Sequence, residues 1–81
     1  MILDFSTFSA EVLGRLGVDH PDVLTPDEDL CADVALDSFQ VVELIVTTEV
    51  LAGRSASMVV PTLRTLGDAY QYYRELLTSP T

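Results

Sequence analysis

Leu36-Asp37-Ser38-Phe39-Gln40-Val41-Val42-Glu43-Leu44 marks the point where a polar stretch meets an apolar helix, and it constrains the fold more than any other part of the chain. Asp37 fits an N-cap whose carboxylate accepts a first-turn N–H, and Gln40, three residues on, closes a capping box. The pattern predicts a helix over 38–52. Val41, Leu44, Ile45, Thr48 and Ala52 recur at helical spacing as one stripe, assigned to a core. Phe39, Val42, Val46 and Val50 form a second, rotated stripe that starts one residue from Ser38. Two readings of that stripe stand. A central helix of a small bundle buries both stripes, or Phe39, Val46 and Val50 stay partly exposed as a docking patch, which contiguous surface apolar residues often mark. In the second reading Glu43 and Glu49 rim the patch.

The flanking sequence calls for more helices. Phe5, Phe8, Val12 and Leu16 lie on one stripe and predict a first helix over 5–16, with Gly17 ending it as a C-cap. A long connection, 18–36, follows, pinned to the core by Leu24, Leu30, Val34 and Leu36. Within it, Thr25-Pro26-Asp27-Glu28 supplies a cap, a first-turn proline and a third-position glutamate, the signals of a short helical turn. His20, beside Pro21, has no second metal-type ligand near it in sequence and reads as a solvated loop residue, so no metal site is expected. After Gly53, Ser55-Ala56-Ser57 reads as a turn or short helix start and Met58-Val59-Val60 as buried. Thr65 and Asp68 resemble another capping box, opening a last helix through Ala69, Tyr72, Tyr73, Leu76 and Leu77. The tail, 78–81, is expected to fray.

Eighty-one residues make one small domain, and 48% apolar content can furnish its core. Charge is distributed unevenly. Residues 16–53 hold nine acids and no arginine or lysine, while elsewhere four acids balance four arginines, so the whole net charge of −9 lies in the segment around Ser38. Nucleic acid is excluded as a partner, because phosphate binding needs a basic footprint. The acidic segment either steers basic protein partners or merely aids solubility. One cysteine, Cys31, excludes an internal disulfide framework and suits a reducing compartment. No apolar run reaches membrane-spanning length, and no basic-then-apolar leader opens the chain, so a cytoplasmic protein without a membrane anchor is expected.

The chemistry centres on Ser38. In the first turn its hydroxyl projects where unpaired N–H groups and the positive end of the helix dipole favour a phosphate. An Asp-Ser pair at a helix start is also simply a common cap. As a nucleophile of its own, Ser38 lacks an evident base and orienter, since His20 is the only histidine and no oxyanion nest is evident. Asp27, Glu28 and Asp29 are paired carboxylates on an exposed loop, where nothing would push their pKa values apart. No Cys/His cluster, phosphate-cradling glycine loop or dinucleotide fingerprint occurs. A non-enzyme is expected.

Over residues 5–77 the order of elements resembles an acyl carrier protein. The matching points are Leu16-Gly17-Val18, Asp29-Leu30, Asp37-Ser38-Phe39, Val42-Glu43-Leu44 and Thr65-Leu66-Gly67-Asp68-Ala69. The resemblance implies an all-α domain over 1–81: a small four-helix bundle of three main helices and one short one, with a long loop between the first two. It implies that Ser38 carries a covalent 4′-phosphopantetheine arm derived from coenzyme A, that Asp37 belongs to the attachment motif, and that partner enzymes read Phe39, Val42, Glu43, Val46, Glu49 and Val50. The partners so implied are a phosphopantetheinyl transferase, an acyl- or aryl-loading enzyme, and downstream synthase or tailoring enzymes. The chain departs from the family pattern in places. Ala35-Leu36 stands where a glycine commonly precedes the motif, Phe39 replaces the commoner leucine, and Gln40 and Val50 replace frequent acids. Family members often carry an acidic short helix before the last one, and this chain, with no acid between Glu49 and Asp68, lacks the acidic contact surface that helix provides. These departures point to a dedicated carrier of polyketide or mixed polyketide–peptide secondary metabolism; nothing flanks the domain, so a freestanding carrier acting in trans, and a monomer, is expected. An aryl or peptidyl carrier of nonribosomal peptide synthesis is the alternative, and an unmodified acidic interaction module is a second, of a different class.

Overall fold

A computed structural model describes residues 2–20, 23–54 and 62–78. Among them the chain is all-helical, with three helices and no strands: α1 (Phe5–Arg15), α2 (Ser38–Ala52) and α3 (Leu66–Thr78). Each helix starts at a side-chain cap. Asp4 Oδ1 accepts the Thr7 N–H at 2.7 Å to open α1. Ahead of α3, the Thr65 hydroxyl accepts the Asp68 N–H at 3.1 Å, and Asp68 Oδ2 accepts the Thr65 N–H at 3.2 Å, which is the expected capping box. The glycine expected to end α1 is also present in its place, and the helix itself stops at Arg15, one residue before the predicted end. Gly17 turns left-handed at φ +72°, and the Val18 N–H reaches back to the Leu13 carbonyl. Gly53 (φ +69°) closes α2 in the same way, with the Arg54 N–H on the Glu49 carbonyl.

The three helices share one core. Phe8, Val12 and Leu13 from α1, Leu44 from α2, and Leu66, Ala69 and Tyr73 from α3 form its buried centre, joined by Leu30 and Leu36 from the α1–α2 connection. Val41, Leu51 and Ala52 of α2 pack partly buried against it. An aromatic group knits α1 to α3: Phe8 lies 4.9 Å from Tyr73 and 5.5 Å from Tyr70 by ring centroids, and Phe5 meets Tyr70 edge-on at 5.7 Å. Those two tyrosines also hold the N-terminal segment. Tyr70 donates its hydroxyl to the Leu3 carbonyl at 2.8 Å, while the Tyr73 hydroxyl accepts the Leu3 N–H at 3.1 Å. One polar group is stranded inside. Ser9 is fully buried, and its Oγ has no hydrogen-bond partner among the described residues.

The connection between α1 and α2 is tied to the start of α3 by backbone bonds. The Leu30 N–H donates to the Arg64 carbonyl at 2.8 Å, Leu66 N–H to Glu28 at 3.0 Å, and Gly67 N–H to Pro26 at 3.0 Å. Asp29 and Thr65 pair there as an isolated antiparallel bridge. Gly67 suits this approach, since a Cβ on it would stand in tight contact, 3.0 Å from both Cβ and the carbonyl oxygen of Pro26. The predicted helical turn at Thr25–Glu28 is instead a tight turn closed by the Glu28 N–H on the Thr25 carbonyl at 3.2 Å. The capping signals are read there, with Glu28 Oε2 accepting the Thr25 N–H, but pairing of Glu28 and Leu30 with 64–66 stops a helix from propagating. His20 is half-buried rather than solvated. The turn expected at Ser55–Ser57, the buried run Met58–Val60 and the tail from Ser79 lie outside the described residues. Thr78, placed in that tail by the sequence, is still helical and bonds the Arg74 carbonyl at 3.0 Å.

Candidate functional site

Ser38 is the first residue of α2, and it is exposed. The cap that precedes it is a complete reciprocal box. Asp37, in extended backbone, accepts the Gln40 N–H on Oδ1 at 2.8 Å, and Gln40 Oε1 accepts the Asp37 N–H at 3.1 Å. The Val41 N–H bonds the Asp37 carbonyl at 3.0 Å, so the first α-helical bond falls at the cap itself. The N–H groups of Ser38 and Phe39 are left without protein partners among the described residues. The Ser38 hydroxyl therefore sits beside unpaired donors at the positive end of a fifteen-residue helix. No carboxylate or imidazole is hydrogen-bonded to that hydroxyl among the described residues.

The approach to Ser38 is built by the turn from Asp29 to Leu36. Asp29 Oδ1 accepts both the Cys31 and Ala32 N–H groups at 2.9 Å, and Asp33 Oδ2 accepts the Asp29 N–H at 2.8 Å. The Asp29 carbonyl takes the Asp33 and Val34 N–H groups, and the Leu30 carbonyl takes that of Leu36 at 2.9 Å. Two donated N–H groups, Ala32 first and then Cys31, hold the Asp29 carboxyl below the usual aspartate range, and the charge of Arg64 adds to this. Leu30 and Leu36 drop into the core from the two ends of the turn. The backbone that enters Asp37 is thereby anchored on its inner side, while Asp37, Ser38 and Phe39 face solvent.

The second apolar stripe of α2 is an exposed face. Phe39 is 70% exposed, Val42 57%, Val46 53% and Val50 62%, whereas Leu44 and Thr48 on the opposite side are fully buried. This settles the two readings of exposure: the bundle takes one stripe and leaves the other to solvent. Glu43 is exposed beside the face, as expected. Glu49 borders the same face beside Val46 and Val50. It is half-buried and accepts the Tyr72 hydroxyl at 2.8 Å, so it also links α2 to α3. Tyr72, itself buried, needs an acceptor for its hydroxyl, and Glu49 supplies it. Past Glu49, an open groove lined by Val46, Glu49, Val50, Gly53 and Arg54 continues the apolar face toward the end of the helix.

Other candidates fall away from this centre. Cys31 is an exposed free thiol on the Asp29 turn. The described residues hold no cluster of three or more histidine, cysteine, aspartate or glutamate side chains able to bind a metal ion, and no described helix is long and apolar enough to cross a membrane. No protein-family model, curated protein or solved structure matches this chain.

Proposed function

We propose that this protein is an acyl carrier whose Ser38 bears a 4′-phosphopantetheine arm. The observation that carries the reading is the conjunction at one end of α2: an exposed serine in the first turn of a capped helix, next to an exposed apolar stripe one residue away. A serine that accepts a phosphate ester needs an accessible hydroxyl and a surrounding that tolerates the added charge. Exposure provides the first, and the unpaired first-turn N–H groups with the helix dipole provide the second. In the proposed attachment a separate transferase, with its own base and metal, directs the Ser38 hydroxyl onto the pyrophosphate of coenzyme A. The serine oxygen–phosphorus bond forms, the pyrophosphate P–O bond breaks, adenosine bisphosphate leaves, and the hydroxyl proton passes to the transferase base.

The arm ends in a thiol, on which a loading enzyme forms an acyl or aryl thioester. The domain's own work is then tethering, which raises the effective concentration of cargo at each partner's active site. Phe39, Val42, Val46 and Val50 serve as the docking face, with Glu43 at its edge and the acidic residues before α2 steering basic partners. Polyketide or mixed polyketide–peptide synthesis is the proposed setting, in the cytoplasm, with a fourth, short helix between α2 and α3 completing the bundle. The same exposed stripe would equally serve an unmodified interaction module, and that reading differs in needing no arm. Incubation with coenzyme A and a broad-specificity transferase, followed by intact-mass measurement, separates the two. The wild-type mass should rise by one arm and that of Ser38→Ala should not. A wild-type mass that stays fixed refutes the carrier reading.

A further inference from the structure

Among the described residues, one non-glycine residue lies at positive φ: Ala35, at +64°, two positions before the Asp37 cap. An L-residue with a Cβ is disfavoured there by roughly 5–30-fold in population relative to its ordinary conformations. Ala35 is exposed, so its methyl gains no burial in return. The conformation is imposed by its neighbours. The Val34 N–H is held on the Asp29 carbonyl at 3.0 Å, and the Leu36 N–H on the Leu30 carbonyl at 2.9 Å, with the Leu36 side chain sunk in the core. Breaking the Leu36–Leu30 bond lets Ala35 relax into extended backbone and releases the strain. That relief makes opening here easier than in an otherwise identical turn with glycine, which accepts positive φ without penalty. The same opening loosens the backbone of Asp37, and the Asp37 cap sets the start of α2.

We propose that the Asp29–Leu36 turn is a strained latch, set at Ala35, whose local opening frees the Ser38 end of α2 for the enzyme that attaches the arm. The proposal rests on the carrier reading of Ser38. Strain held by surrounding hydrogen bonds beside a reacting group is a recurrent arrangement at functional sites. Here the tension is placed so that the turn opens while the core side of α2, at Leu44 and Thr48, stays packed.

The test compares wild type with Ala35→Gly and Ala35→Asn, since asparagine visits left-handed backbone more readily than alanine while keeping a Cβ. Two quantities are read: amide hydrogen exchange at Leu36, and kcat/KM for arm attachment with coenzyme A and a transferase. Glycine should slow Leu36 exchange by a few-fold to about 30-fold, because its wider freedom in the open form offsets part of the relief. The Tyr73 amide of α3 should change only with global stability. Arm attachment should slow in the same order, wild type fastest, asparagine intermediate and glycine slowest. Unchanged or faster exchange at Leu36 in the glycine variant overturns the latch. Slower exchange with wild-type attachment kinetics overturns its role at Ser38. If wild type accepts no arm at all, the carrier reading fails, and the exchange series alone still decides whether the latch exists.

Discussion

Replacing Phe39 with alanine should separate docking from folding, with Phe8→Ala as its counterpart. Phe8 is fully buried and packs on both Tyr70 and Tyr73, so truncation leaves a cavity in the aromatic group and costs about 3–5 kcal/mol. A chain of this size holds roughly 4–12 kcal/mol in all, so that loss removes a large share of its stability. Phe39 is 70% exposed. Full burial of such a side chain is worth about 1.5–3 kcal/mol, so the part covered at Phe39 contributes on the order of 0.5–1 kcal/mol. With about 4–8 °C per kcal/mol for a small domain, Phe39→Ala should lower Tm by no more than about 8 °C, and Phe8→Ala by about 12 °C or more. Arm attachment should show the opposite ranking. An anchor at an interface costs more than about 1 kcal/mol when truncated, so Phe39→Ala should slow attachment at least about fivefold in kcat/KM. Calorimetry and intact-mass time courses on both variants decide the matter. A Phe39→Ala protein that melts as low as Phe8→Ala, or one that is loaded as fast as wild type, refutes the reasoning.

Charge reversal at the two glutamates of α2 should have unlike effects. Glu43→Lys should slow partner association, with the loss shrinking as salt rises, whereas Glu49→Lys should chiefly lower Tm by removing the carboxylate that accepts the buried Tyr72 hydroxyl; equal Tm values for the two would contradict this. Gly67→Ala gains up to about 1 kcal/mol of helix propensity but forces a contact with Pro26 costing about 1–3 kcal/mol, so Tm should fall; a rise would contradict the close approach. Because the Asp29 carboxyl is held below its ordinary pKa in the folded protein, its ionised form contributes stability that is complete above the ordinary aspartate range and is lost as pH falls through the depressed folded value. Asp29→Asn, which cannot titrate there, should therefore show a shallower fall of Tm with acid, and parallel curves for the two proteins would contradict the linkage.

Much of this fold is written in local signals. The Asp37–Gln40 and Thr65–Asp68 boxes place two helix starts because capping is satisfied by residues three apart, whatever lies elsewhere in the chain. The division of α2 into two stripes is equally local, but which stripe faces solvent is decided by what α1 and α3 bring against it. Periodicity alone therefore does not decide between them. The position of Glu49 shows the same limit. It borders the exposed face in helical projection, yet Tyr72 of α3 reaches it across the bundle, twenty-three residues away in sequence. The cap at Asp4 is as local as the two boxes, an acceptor side chain immediately ahead of Phe5 that takes the Thr7 N–H. Leu13, just outside the predicted stripe, is fully buried in the core that all three helices share, which periodicity within α1 alone does not reveal. The left-handed backbone of Ala35 has no local signal at all, since alanine does not favour it. It follows from the anchoring of Leu30 and Leu36 on either side.

The central claim is that Ser38, and no other residue, carries the arm. The most direct measurement treats the protein with coenzyme A and a transferase, digests it, and sequences the modified peptide by tandem mass spectrometry. The account predicts one phosphopantetheine group, on the peptide containing Asp37-Ser38-Phe39, with its phosphodiester on the Ser38 oxygen. An arm found on Cys31 or on another hydroxyl, or no modified peptide at all, would contradict it.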